Sequence, residues 1–539
     1  MVTERTIINA LIIGASIILT PFIISSALTY EYGPALLFGG LSAIAAAFFS
    51  LKEKLCIWPM LGCSIGGTLN FLPLPLQAFH IFSILLILYY VTGYVLIRQK
   101  KIKLGKTQFF WPILIITLIV LYHNHNLAVR MMGGTSEGAK PAILMYLIVL
   151  AYFCGINVST PSVAFLSKVP LLAVILTFVS SVPFFLTTYI PSLAPYLYAI
   201  TDSVNVEAYV GSLSSSGTGE QGGVGRFAAF GPVGGILQLY LICHYPIVTW
   251  LRPERWWVAG LSLISTMLVL ETGFRTNLVG FALLTLVGVW CYYSWRAVLL
   301  PAGFFVLLLL LHVGSSSHLI NLPENKLPMI AQRTLSFLPG DWDQDAIDSG
   351  KASNYFRQNI QNIYIKEYLR RSPLIGNGFN IDTREFNNLS DLLKTGQTGG
   401  DTDYIQAKVF IEGKLFHTGW ISVYDTVGII GTLAFIVLGW NEIRLAAHFV
   451  IGPKADRRSS LFPLYVWLLS SITTQVVTFF TVFGDFGQTF PSLCISAIVL
   501  SQLSDLENTV DAPIVPSDRK RQVEFSGLSG DQYGYQYKQ

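Results

Sequence analysis

RQNIQNIYIKEYLRRSPLIGNG, residues 357–378, sits inside a polar stretch from Ser315 to His417 that interrupts an otherwise apolar chain. Eleven apolar runs precede that stretch and three follow it. Of the 539 residues 52% are hydrophobic and 12% charged, against roughly 25% charged in a soluble domain. The runs are long enough to cross ~30 Å of hydrocarbon, for which a helix needs about 20 residues. Helices satisfy their backbone groups internally in lipid, and the runs lack the two-residue alternation of a membrane barrel. The expected fold is an all-α membrane protein with about 14 transmembrane helices and one large extracytoplasmic loop.

The runs fall near 6–28, 33–50, 55–74, 77–97, 108–122, 141–157, 165–188, 227–250, 256–274, 277–295, 297–313, 418–440, 461–482 and 486–503. This divides the chain into a polytopic region of about eleven helices (1–313), the loop domain (314–417), three C-terminal spans (418–503) and a tail (504–539). The tail is too polar to order itself and is expected to be disordered. Net charge is only +4, but with the N-terminus inside the short inner segments carry 16 Lys and Arg and the short outer ones 4. The positive-inside rule then makes both termini cytoplasmic and turns the long loop outward. The first run is too long for a cleaved leader and is expected to be a retained span.

All six cysteines fall in the runs with no C-x-x-C spacing, so neither a disulfide nor a zinc site is implied. Ser212–Gly225 is glycine-rich and lacks the Gly-Lys-Ser/Thr of a phosphate loop, and nothing argues for nucleic acid. Asp341, Asp343 and Asp345 resemble a metal loop, but Ala346 and Ala352 stand where an EF-hand needs Gly and Glu. A solvated acidic turn is expected, with no metal and no cofactor.

Ser353 to Arg371 reads as a helix capped by Ser353 and stopped by Pro373. Arg357, Gln361, Tyr364 and Tyr368 share one face of it, a cation followed by hydrogen-bonding and stacking groups. That stripe suits a ligand bearing phosphate and sugar; a helix lying on the membrane surface is the alternative. Arg226, Arg275, Arg357 and His417 all map to the outer side, where cations are otherwise sparse. A guanidinium binds pyrophosphate bidentately and keeps its proton. His417 is a candidate base for a sugar hydroxyl, with Asp403, Glu412 and Asp425 as rivals.

Four segments together resemble the O-antigen ligase/polymerase-like family of bacterial membrane glycosyltransferases. They are Gly225-Arg226 with its Gly/Pro-containing continuation, the joint Glu271-Thr-Gly-Phe-Arg275, the loop helix from Phe356 with the turn Pro373-Leu-Ile-Gly376-Asn-Gly378, and His417 leading to Asp425-Thr-Val-Gly428-Ile-Ile-Gly431. The likeness spans roughly 225–431. It departs from the family pattern at Thr418, where Asn is usual, at Asp425, where Glu is usual, and at Phe274, where Ser is common.

The resemblance implies a C-type glycosyltransferase fold in the bacterial inner membrane, with the long loop periplasmic. It implies a glycan on undecaprenyl pyrophosphate as donor and metal-independent inverting transfer. Arg275 and Arg357 would hold pyrophosphate, Arg226 would add a donor contact, and His417 would activate the acceptor. Gln361 and Tyr364 would line the substrate site. The expected activity is polymerisation of O-antigen or exopolysaccharide repeat units, possible partners being the bilayer and a chain-length regulator. Ligation of the glycan to lipid A core or protein is the near alternative. A lipid-linked oligosaccharide flippase is the alternative of another class, disfavoured because the ionisable candidates lie at the outer edge and not at mid-membrane.

Overall fold

The computed structural model describes residues 51–70, 76–95, 107–124, 139–198, 200–204, 229–250, 252–293, 329–336, 342–381, 383–395, 401–416, 418–452 and 455–510. Runs 6–28, 33–50 and 297–313, Ser212–Gly225 and the tail beyond Val510 lie outside them. The main helices are α1 (Ala78–Tyr90), α2 (Thr107–His123), α3 (Ala139–Gly155), α4 (Val169–Tyr189), α5 (Phe230–His244), α6 (Trp256–Leu270) and α7 (Arg275–Tyr293). The polar region supplies α8 (Met329–Leu335), α9 (Gln344–Ile363), α10 (Thr383–Thr395) and α11 (Thr402–Glu412), followed by α12 (Gly419–Ile451), α13 (Phe462–Thr481) and α14 (Phe486–Val510).

The protein is a largely helical, membrane-embedded chain. Among the described residues α4, α7, α12, α13 and α14 are long and apolar enough to cross a membrane, and α1, α2, α3 and α5 are shorter apolar helices. The run at 55–74 is not one helix. Its described part is a 3₁₀ turn (Lys52–Cys56), a five-residue helix (Trp58–Gly62) and strand β1 (Thr68–Leu69), paired antiparallel with β2 (Leu76–Gln77). Pro59 opens the short helix and Gly62 closes it against the Phe79 backbone, leaving no room for a straight continuation.

The core is centred on α14, where Cys494, Ile495, Ala497, Ile498, Val499 and Leu500 are all buried against α3, α12 and α13. Small residues allow the close approaches that membrane helices depend on. Ser265 on α6 donates a 2.5 Å hydrogen bond to the Gly234 carbonyl of α5, at a spot where a side chain on Gly234 would collide. The polar helices have a core of their own: Ile360, Ile363, Tyr364, Tyr368, Ala407, Ile411 and Phe416, together with Ile421 of α12.

The loop helix starts about ten residues earlier than Ser353. Asp343 caps it, its carboxylate accepting from the Asp345 amide at 2.9 Å. The acidic turn therefore has a capping role, and among the described residues no His, Cys, Asp and Glu group is arranged to hold a metal. Five residues from Tyr364 to Tyr368 form a π-helical turn, so the regular 3.6-residue spacing expected along this helix fails from Tyr364 onward.

Candidate functional site

The polar helices dock on the end of the bundle formed by the C-termini of α2 and α6 and the N-termini of α7 and α12. Thr334 donates to the Leu270 carbonyl at the end of α6 (3.2 Å), and Asn380 donates to the His123 carbonyl at the end of α2 (3.2 Å). The His123 ring pairs through Nε2 with the Ile375 carbonyl at 2.9 Å.

The strongest attachment is a splice. Helix α12 is broken at Gly428, whose φ is +64°. In an unbroken helix the Asp425 and Thr426 carbonyls would accept from the Ile429 and Ile430 amides. Here they accept from Asn377 (2.6 Å) and Gly378 (3.0 Å), and the two amides donate instead to Pro373 (2.9 Å) and Leu374 (3.1 Å). The turn from Pro373 to Gly378 thus replaces one turn of helix, and all four backbone groups stay paired, as a membrane-spanning segment requires. Gly376 (φ +70°) lies so close that a Cβ would come within 2.7 Å of the Gly428 amide and the Asp425 carbonyl. Both positions need glycine for conformation and for space.

The splice sets Asp425 beneath the loop. Its carboxylate is 2% exposed and accepts from Tyr364 (3.2 Å), from the Asn377 amide (2.9 Å) and from the Lys414 ammonium. These donors come from the loop helix, the turn and the linker into α12. Lys414 reaches the carboxylate from a left-handed backbone conformation (φ +56°). With donors from three segments on its carboxylate, Asp425 anchors the loop to the bundle. Burial, followed by the Asp425 carboxylate, pushes the Tyr364 hydroxyl far above the ordinary phenol range. Tyr364 is 1% exposed and faces Asp425. This corrects the expectation that it lines the substrate site: the face it shares with Gln361 packs against α12 and the loop core, which take it inward.

Arg275 and Arg357 do come together. Arg275 opens α7 immediately after the short joint from α6, and Arg357 projects from α9. Arg275 reaches α9 at Gly350, two helical turns before Arg357 and on the same face of that helix. Arg275 donates from Nη2 to Ser336 Oγ at 2.7 Å and packs over Gly350, where any side chain would strike it. Burial lowers the Arg357 pKa from its ordinary value. One helical turn on, Gln361 donates to Thr418 Oγ1 at 3.3 Å, at the N-cap of α12. Arg275, Arg357, Gln361 and Thr418 therefore form one line across the joint between loop and bundle. Arg226 and His417 lie outside the described residues. Of the rival bases, Asp403 is exposed in the first turn of α11, whereas Glu412 is buried at its end.

Two half-buried like charges repel, and a pair of forked donors suits a polyanion such as a diphosphate. The residues missed in the sequence are His123, Asn377 and Lys414, which act only through contacts distant in the chain. The chain matches no protein-family model and no curated protein.

Proposed function

We propose that the protein is a membrane glycosyltransferase that moves a glycan from undecaprenyl pyrophosphate onto a saccharide acceptor at the outer face of the bacterial inner membrane. The observation that carries this reading is the convergence of Arg275 and Arg357 from two distant segments onto one joint at the end of the bundle. Two guanidinium groups in a partly buried place offer forked donors that match the oxygens of a diphosphate. A lipid pyrophosphate supplies that charge at headgroup depth. On this reading the polar helices are periplasmic.

In the transfer, the acceptor hydroxyl oxygen bonds to the anomeric carbon from the face opposite the leaving group. The bond from that carbon to pyrophosphate breaks, and the lipid pyrophosphate leaves with the electron pair. Arg275 and Arg357, with Arg226, stabilise the charge that develops on it. His417, which precedes Thr418 in the chain, takes the hydroxyl proton. No metal is required for these steps. Joining of repeat units is the preferred activity, and ligation to lipid A core or protein uses the same donor chemistry.

The test is purified protein with a lipid-pyrophosphate-linked oligosaccharide. Transfer should survive a chelator and fall at least 100-fold in Arg275→Ala, Arg357→Ala and His417→Ala; unchanged transfer in all three rejects the site. Gene deletion separates the activities, because single-repeat surface glycan indicates a polymerase and accumulated long lipid-linked chains a ligase.

A further inference from the structure

About three helical turns beyond Arg357 along the loop helix, a cavity of about 490 Å³ opens between the turn after Pro373, the end of α11 and Asp425. Tyr368, Arg371, Asn377, Asn380, Glu412 and Lys414 line it. Two of its wall oxygens lack a hydrogen-bond partner although they are buried. Glu412 is 7% exposed, and neither its Oε1 nor the Tyr368 hydroxyl beside it makes a hydrogen bond. The nearest cation to Glu412 is Arg371, whose Nη1 stands 3.7 Å from Oε1, beyond hydrogen-bond range. Arg371 is held there by its own contact with the Tyr368 ring, 4.0 Å from guanidinium carbon to ring centroid.

Leaving a buried carboxyl and a phenol unpaired costs about 1–3 kcal/mol each. A ligand that enters and pairs with them recovers that cost. The charges around the cavity indicate which ligand. Arg371, Arg384 and Lys414 are balanced by Glu412 and Asp425 in the wall and by Glu385, whose charge is felt at Glu412. An anion meets carboxylates there, and a cation meets guanidinium groups. A hydroxyl both donates and accepts, so neighbouring hydroxyls can use Asn, Arg, Tyr and Glu groups in alternation. The volume has room for one or two pyranose rings. We infer that this cavity is a binding subsite for a neutral sugar unit, separate from the Arg275–Arg357 pair, which lies about three helical turns earlier.

Within the proposed transfer reaction, on which this role rests, the subsite holds a glycan residue away from the pyrophosphate. The π-helical turn serves both sites, because it turns Tyr364 and Tyr368 side by side toward Asp425 and Glu412. Such turns often mark functional places in helices.

The experiment uses the full chain in lipid nanodiscs and saturation-transfer difference NMR with four probes: glucose, galactose, mannose and N-acetylglucosamine. At least one should give a signal with millimolar affinity, and that signal should fall five-fold or more in Tyr368→Phe and in Glu412→Gln. It should persist in Arg275→Ala, which disables only the proposed donor site, so binding can hold even where the transferase reading fails. Tyr368→Phe removes a single oxygen and keeps the ring under Arg371, guarding against a loss caused by misfolding. Absence of signal for all four probes overturns the inference. So does equal signal in both variants, or displacement of the sugar by millimolar inorganic phosphate.

Discussion

Two stretches of the loop helix α9 and its π-helical extension, one around Arg357 and one around Tyr364 and Tyr368, handle charge in opposite ways. At the first, Arg275 and Arg357 are like charges held near each other. At the other, Asp425 is surrounded by three donors, and cations and carboxyls alternate around the neighbouring cavity. A neutralised, fully bonded cluster fixes structure. Guanidinium groups gathered in one partly buried place suit the binding of an anion. The contrast assigns attachment of the loop to the Asp425 side and recognition of a polyanion to the arginine side.

The largest effect should come from Asp425→Ala, which strands the Lys414 ammonium and the Tyr364 hydroxyl. Breaking such a buried cluster costs about 3–5 kcal/mol. The expected outcome is a large drop in thermal unfolding temperature in detergent, with early proteolysis between residues 329 and 416; a variant as stable as wild type removes the anchor role. Gly428→Ala comes next. A left-handed alanine costs about 1–2 kcal/mol, and its methyl also collides with the Leu374 and Ile375 backbone, so about 2–4 kcal/mol is expected in total. Unfolding temperature again provides the measurement, and an unaffected Gly428→Ala would contradict the splice.

Arg357→Ala should leave stability nearly unchanged and weaken inorganic pyrophosphate binding about 10–100-fold, the worth of one charge-assisted hydrogen bond of ~1.5–3 kcal/mol. Calorimetric titration in low salt measures this. If stability falls and binding does not, the two sides have been assigned the wrong way round.

The smallest effects are those of pH, and two glutamates in the same loop should oppose each other. Burial pushes the Glu412 pKa up, more than the nearby Tyr368 hydroxyl and Arg371 guanidinium hold it down. Its folded form holds the proton more tightly than the unfolded chain, so its contribution weakens as pH rises from about 4.3, the ordinary glutamate value. Glu367 is different. Burial would raise its pKa, but hydrogen bonds from Tyr404 and Lys408 outweigh burial and lower it. Its contribution is present above the ordinary value and is lost as pH falls through the lowered one. Unfolding curves between pH 3 and 7 should show Glu412→Gln gaining on wild type as pH rises and Glu367→Gln losing to it; identical curves would count against both assignments.

The residues of the arginine side were legible in the chain because charged residues are rare beside apolar runs. Arg275 and Arg357 stand out wherever the fold places them. Asp425 was legible as an acidic residue in a Gly-x-x-Gly context, but its work was not, since its partners lie 11, 48 and 61 positions away. Periodicity puts Tyr364 on the face of Arg357 and Gln361, but it does not tell that this face packs against α12 and buries the tyrosine. The run at 55–74 failed for a related reason: apolarity signals burial, while Pro59 and the packing of Gly62 against Phe79 decide its shape.

Apolar run length and charge asymmetry determined by themselves that this is a helical membrane protein with a polar region beside one end, because transfer from water to lipid depends on composition over about twenty residues. Only the tertiary structure decided that the Pro373–Gly378 turn completes a broken span and that Asp425 is an anchor. It alone brought Arg275 to Arg357. Hydrogen bonds and charge pairs act over a few ångströms, and no local pattern records which distant groups the folded chain will bring within that range.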